Sequence, residues 1–103
     1  MRAVITETTL KTGEQKAWDH AFEERSKAAA NQPGLVGLSL LIPFDDERKR
    51  LVVGLWESED DWHRWHETDA FKLTREKLDA ATESEGKPRW HQVATEHFAF
   101  IGQ

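Results

Sequence analysis

"RLVVGLWESEDDWHRWHETDAFK", residues 50–72, contains the change of period that decides the fold. It opens on "RLVVGLW", rich in valine and leucine, the composition of a strand. Upstream, "LVGLSLLIP" (residues 35–43) has the same character, and only the polar "FDDERK" separates the two. A hairpin is therefore predicted over residues 35–58. Val36, Leu38, Leu40 and Ile42 alternate against Leu35 and Leu41, so both faces of its first strand are apolar. At Ser58 the pattern changes. Ser58 with Asp61 three positions on makes a capping-box-like start for a short helix over residues 59–67, and a further helix is predicted over 69–81.

Toward the amino end, "RAVITETTL" (residues 2–10) reads as a first strand. Thr12 and Gln15 have capping-box spacing, with Gly13 between them, so a helix is predicted over residues 14–31. Trp18, Phe22, Arg25 and Ala29, flanked by Ala17, Ala21 and Ala28, give it one buried stripe, and "NQPG" ends it. Toward the carboxyl end, "TESEGKP" reads as a loop. "RWHQVATEHFAFI" (residues 89–101) reads as one long strand, with Trp90, Ala94, Phe98 and Phe100 on one face and Val93, Ala99 and Ile101 on the other.

The order β-α-β-β-α-α-β is that of an α+β, ferredoxin-like split βαβ fold with an antiparallel sheet. The 103 residues carry no linker-like tract, so a single domain over 1–103 is expected. Helices cover only one sheet face in this architecture, while the predicted strands are apolar on both. A homodimer with sheets face to face answers that mismatch. Fourteen basic against nineteen acidic residues leave a net charge of −5, which argues against nucleic acid and anionic membranes as partners. With no cysteine, any metal would have to be held by histidines and carboxylates. The amino end lacks the apolar core of a signal peptide, and a cytoplasmic protein is expected.

Pro33 and Gly34 before the second strand, Trp56 and Ser58 closing the third, Trp62 and Trp65 on the helix, and Thr68, Asp69 and Phe71 beyond it form a pattern. It resembles the antibiotic biosynthesis monooxygenase family of dimeric α+β barrels. The resemblance implies a homodimer and, in the quinone-forming branch, chemistry without metal, flavin or haem. A small aromatic, quinol-like or anthrone-like substrate is deprotonated there and reacts with molecular oxygen directly. The haem-degrading branch carries an asparagine on the first strand, a tryptophan on the second helix and a histidine on the third as iron ligand. Those positions fall on or near Glu7, on Trp65 and near Arg75 here, with no histidine between His66 and His91, so only the tryptophan is retained.

Phe22, Trp62, Trp65 and Phe71 are the candidate substrate-binding residues, and Trp65 is also a candidate for catalysis with Glu7, Arg75 and His97. Glu7 shares strand parity with Ala3, Ile5 and Thr9; if that face meets the helices, a carboxylate there has the raised pKa of a general base. Arg75 can hold an anionic oxygen, and His97 can move a proton from the last strand. Trp56 is read as packing beneath the helices. His63 and His66, three apart and followed by Glu67, have metal-ligand spacing, but the tryptophans beside them compete for the buried face, and no metal site is expected. Two other functions share this fold: a small-molecule binder or stress-associated barrel without catalysis, and a non-oxidative enzyme such as an isomerase.

Overall fold

β1 (Arg2–Leu10) is the strand around which the molecule is built. In the computed structural model, which describes residues 1–97, it is followed by α1 (Gln15–Ala29), β2 (Leu35–Leu41), β3 (Lys49–Trp56), α2 (Glu59–Glu67), α3 (Asp69–Ala80), β4 (Thr82–Glu85) and β5 (Arg89–Gln92). β3 lies on one side of β1 with β2 outside it; β4 and β5 lie end to end along the other side. Every pairing is antiparallel. This is the α+β, ferredoxin-like arrangement expected from the element order.

Two expectations need correcting. "TESEGKP" is not all loop: Thr82–Glu85 pairs with the far end of β1, Leu10 opposite Thr82 and Thr8 opposite Glu85. Strand pairing is made by backbone groups, so a weakly β-forming "TESE" can join once β1 offers a free edge. The strand expected over 89–101 stops at Gln92, because β1 is exhausted at the Arg2 and Gln92 pair. Residues 93–97 continue without regular structure, and Phe98, Ala99, Phe100 and Ile101 lie outside the described residues.

The register sorts the two faces. Val4, Thr8 and Leu10 of β1 are buried beneath the helices; Ala3, Ile5, Glu7 and Thr9 point to the other side. In β2 a bulge between Leu35 and Gly37 breaks the predicted alternation. Leu35, Leu38 and Leu40 pack toward the helices, whereas Val36 is exposed.

Helix ends follow local chemistry. Ser58 Oγ accepts from Asp61 N at 3.2 Å to start α2, and Thr68 Oγ1 accepts from Phe71 N at 3.2 Å to start α3. Each such cap is worth about 1 kcal/mol. The box expected at Thr12 and Gln15 does not form: Glu14 is the N-cap, without a side-chain bond, and Thr12 Oγ1 accepts from Arg48 instead. Gly34, at φ +86°, turns the chain into β2 so closely against α2 that a Cβ there would overlap the Asp61 side chain.

Two groups of buried side chains join helices to sheet. One gathers Leu10, Trp18, Ala21, Phe22, Leu78 and Ala81. The other gathers Val4, Ala29, Trp56, Trp65 and Phe71, with Trp62 and Trp90 at its margin. Trp56 is thus a core residue beneath the helices, as its position at the strand end predicts. The buried Arg50 guanidinium ties β3 to α1 through both Asp19 oxygens, at 2.8 and 3.0 Å.

Candidate functional site

A cavity of about 270 Å³ lies between the helices and the sheet, drawing its walls from both buried groups. Its floor is Val4, Thr6 and Thr8 of β1 with Val52, Gly54 and Trp56 of β3. Gly54 makes that floor possible: a Cβ at this position would come within 2.9 Å of Trp56 Nε1 and 3.3 Å of Val4 Cγ1. The roof comes from Trp18, Phe22 and Arg25 of α1, Trp62, Trp65 and His66 of α2, and Phe71 and Arg75 of α3. Such a lining, aliphatic and aromatic with several polar and charged groups, suits a flat organic molecule, and the volume is at the small end of the ligand-pocket range.

The aromatic wall is internally packed. Trp65 stands edge-on to Phe71 with ring centroids 5.5 Å apart and an interplanar angle of 80°. His66 lies between Trp62, at 3.8 Å, and Phe71, at 4.1 Å. Behind this wall Trp90 from β5 meets Trp62 edge-on at 5.3 Å, and on α1 Trp18 stacks on Phe22 at 5.2 Å. The capped break between α2 and α3 allows this, because it lets both helices present aromatic side chains to one space.

His66 Nδ1 is 2.8 Å from the Trp62 carbonyl oxygen, so that nitrogen donates, and in the neutral ring Nε2 keeps a lone pair. Burial holds the imidazole below its ordinary pKa; the positive charges of Arg25 and Arg75 push the same way, and the bond to the Trp62 carbonyl opposes them. His66 is therefore a neutral base at physiological pH. Arg25 donates from Nε to Thr74 Oγ1 at 3.0 Å and from Nη2 to the Phe71 carbonyl at 3.3 Å, with its guanidinium 4.0 Å from the Phe71 ring centroid. Burial, then the neighbouring Arg75, lowers its pKa to about 10, and it stays charged at neutral pH. Arg75 reaches the same ring at 5.7 Å and lies 3.6 Å from Asp79 at the cavity mouth.

Of the sequence candidates, Phe22, Trp62, Trp65, Phe71 and Arg75 all line this cavity. Glu7 does not. Its side chain is on the opposite sheet face, exposed and paired with Lys49 at 2.6 Å, because strand parity places Thr6 and Thr8 on the helix side. The proviso on which its role as general base depended, that its face meet the helices, is not met. His97 lies beyond β5, exposed and not among the lining residues. His63 is exposed while His66 turns inward, so the pair does not converge, and no cluster of three metal-ligating side chains occurs among the described residues. His66 and Arg25 were available as site residues from helical spacing: His66 is four positions after Trp62, and Arg25 belongs to the stripe of Trp18 and Phe22.

Residues 1–77 match the sequence profile of the family described as Antibiotic biosynthesis monooxygenase. Among solved structures, a protein from Nitrosomonas europaea assigned to the antibiotic biosynthesis monooxygenases superposes with a TM-score of 0.84 at 18% identity, covering 92% of this chain and 100% of that one. SnoaB, a cofactor-independent oxygenase from Streptomyces nogalater, superposes with a TM-score of 0.82 at 18% identity, covering 92% and 94%. At such identities the likeness is one of fold. A haem oxygenase (mycobilin-producing) from Mycobacterium tuberculosis is 39% identical over 44 residues, a match that takes in 43% of this chain and 42% of that protein. With its profile matched over three of the five described strands and most of the helical layer, the chain belongs to the antibiotic biosynthesis monooxygenase family.

Proposed function

We propose that this protein is a monooxygenase that uses no resident cofactor and acts on a small, flat, electron-rich aromatic molecule of phenolic or anthrone type. The observation that carries this reading is His66: a neutral imidazole with one free lone pair, held among aromatic rings and beside two guanidinium groups. Oxygen chemistry without a cofactor requires a substrate carbanion or phenolate, hence a base to make it and positive charge to keep it. In an anthrone-type substrate, His66 Nε2 takes one proton from the reacting CH2 carbon. The carbanion gives its electrons to molecular oxygen, a carbon–oxygen bond forms, and the peroxide collapses to a ketone. CH2 and O2 become C=O and H2O, so one oxygen atom enters the product and the other leaves as water with both hydrogens. Trp65 and Phe71 shape the space and exclude solvent.

Haem, implied by part of the family and by the mycobacterial relative, does not fit the side chains present. By the family resemblance the position of the iron-binding histidine falls near Arg75, with no histidine between His66 and His91, and the His66 ring is wedged between two aromatic rings in a cavity of about 270 Å³. No step is drawn through it.

The reading also takes the protein as a homodimer joined through the open sheet face. That face carries Ala3, Ile5, Leu41, Leu51, Val53 and Leu55, an apolar surface that no helix among the described residues covers.

The test is oxygen uptake by purified protein with anthrones, hydroquinones and catechols, followed with an electrode. Uptake is expected with one of these classes, reduced by two to three orders of magnitude in His66→Gln and altered in Trp65→Phe. Turnover that proceeds equally well without oxygen would instead assign a non-oxidative reaction, such as isomerisation. Ligand binding with no turnover at all would leave a binding protein.

A further inference from the structure

Two arginines are drawn into the helical layer, and they are provided for differently. Arg50, 3% exposed, has a complete set of partners: both Asp19 oxygens, and the carbonyls of Glu47 and Lys49, each at 2.8 Å from Nη1. Arg25 has only neutral acceptors, Thr74 Oγ1 and the Phe71 carbonyl, which engage two of its five N–H groups. Among the described residues no carboxylate stands within ion-pair distance of it; Asp79 and Glu85, on the cavity rim, act only from farther off. The charged neighbour it feels most is of its own sign, for the Arg75 guanidinium lies 5.7 Å from the centroid of the same Phe71 ring that Arg25 meets at 4.0 Å.

A half-buried guanidinium that borders an aromatic cavity beside a second guanidinium, and that has two neutral acceptors but no counter-ion in contact, is suited to receive an anion. We propose that this anion is the ligand, and that the cavity selects an aromatic carboxylate. Its ring lies against Trp62, Trp65 and Phe71, and its carboxylate accepts from the unused N–H groups of Arg25 and from Arg75. A planar carboxylate matches the guanidinium fork in two parallel hydrogen bonds, which a neutral amide does not reproduce. The same placement explains why the roof carries two cations where an apolar ligand needs none. This inference rests on reading the cavity as the substrate pocket and not on the oxygen chemistry.

The experiment is calorimetric titration of the full chain, under nitrogen at neutral pH, with 2-naphthoate and its neutral isostere 2-naphthamide. The acid is expected to bind at least about tenfold more tightly, with an advantage that shrinks as salt is raised. Arg25→Gln should abolish the difference. Because Arg25 also holds the Phe71 carbonyl and that variant can lose its fold, Arg75→Gln, at the exposed mouth, is the second arm. It should narrow the preference several-fold with an unchanged melting temperature. Equal affinity for acid and amide, failure of the acid to bind, or a preference that survives in both folded variants overturns the proposal. Naphthoate bound without oxygen uptake from any hydroxylated analogue defeats the oxygenase reading alone. Uptake from neutral quinols with no preference for acids defeats the carboxylate site alone.

Discussion

At His66 the protonation state is set by surroundings that no neighbouring residue in sequence announces. The imidazole is desolvated and faces two guanidinium groups, so its pKa in the fold lies below the ordinary 6.5. As pH falls, the unfolded chain therefore takes up this proton before the folded one does. The stability owed to a neutral His66 is full above pH 6.5 and is lost progressively below it. The His66→Gln variant should lose part of the acid-side slope in a plot of denaturation midpoint against pH, with the slope above 6.5 unchanged. Two superimposable plots would mean that the side chain is not buried as a neutral base. Gly34 is a second residue whose reason is conformational. Its φ of +86° and the Asp61 side chain leave no place for a methyl group, so Gly34→Ala should cost about 2 kcal/mol, read from urea unfolding. The sequence marks this glycine only as part of "PG"; the approach of Asp61 is a tertiary fact.

The elements show which sequence signals carry far. The caps at Ser58 and Thr68 are each satisfied within three residues, and so α2 and α3 are legible from local spacing. Thr12 has the same spacing but spends its hydroxyl on Arg48, from the loop before β3, and α1 begins without it. β4 was hidden because "TESE" has no apolar alternation; its partner, the far end of β1, defines it. What fastens α1 to the sheet is the Asp19 and Arg50 pair. Asp19→Ala leaves a buried guanidinium with only carbonyl partners, and the expected loss is on the order of 2 kcal/mol, visible as a lower denaturation midpoint. Substitution of Glu7, whose pair with Lys49 is open to solvent in the single chain, should lower the midpoint of the dissociated chain less than Asp19→Ala does. If both variants lose the same stability, the distinction drawn between these pairs is wrong.

For the whole molecule, the open face is the ground for proposing a homodimer. Sheet strands with leucine and valine on both sides need cover on both, and the helices supply only one. Light scattering after size exclusion is expected to give twice the 11.9 kDa of one chain, and Val53→Lys, at the middle of the open face, should shift it to one. A single-chain mass for the unaltered protein at micromolar concentration would reject the dimer. The order of elements from β1 to α3, the capped break before Phe71 and the aromatic character of the helical layer were determined by the sequence alone, because hydrophobic period and capping act over a few neighbouring residues. Which face of β1 meets the helices, and therefore that Thr6 and Thr8 rather than Glu7 border the cavity, was decided only by the tertiary structure. So was the company of His66, Arg25 and Arg75: residues from three helices meet around one phenylalanine ring, and a pKa or an unmatched charge depends on that distance in space and not on separation along the chain.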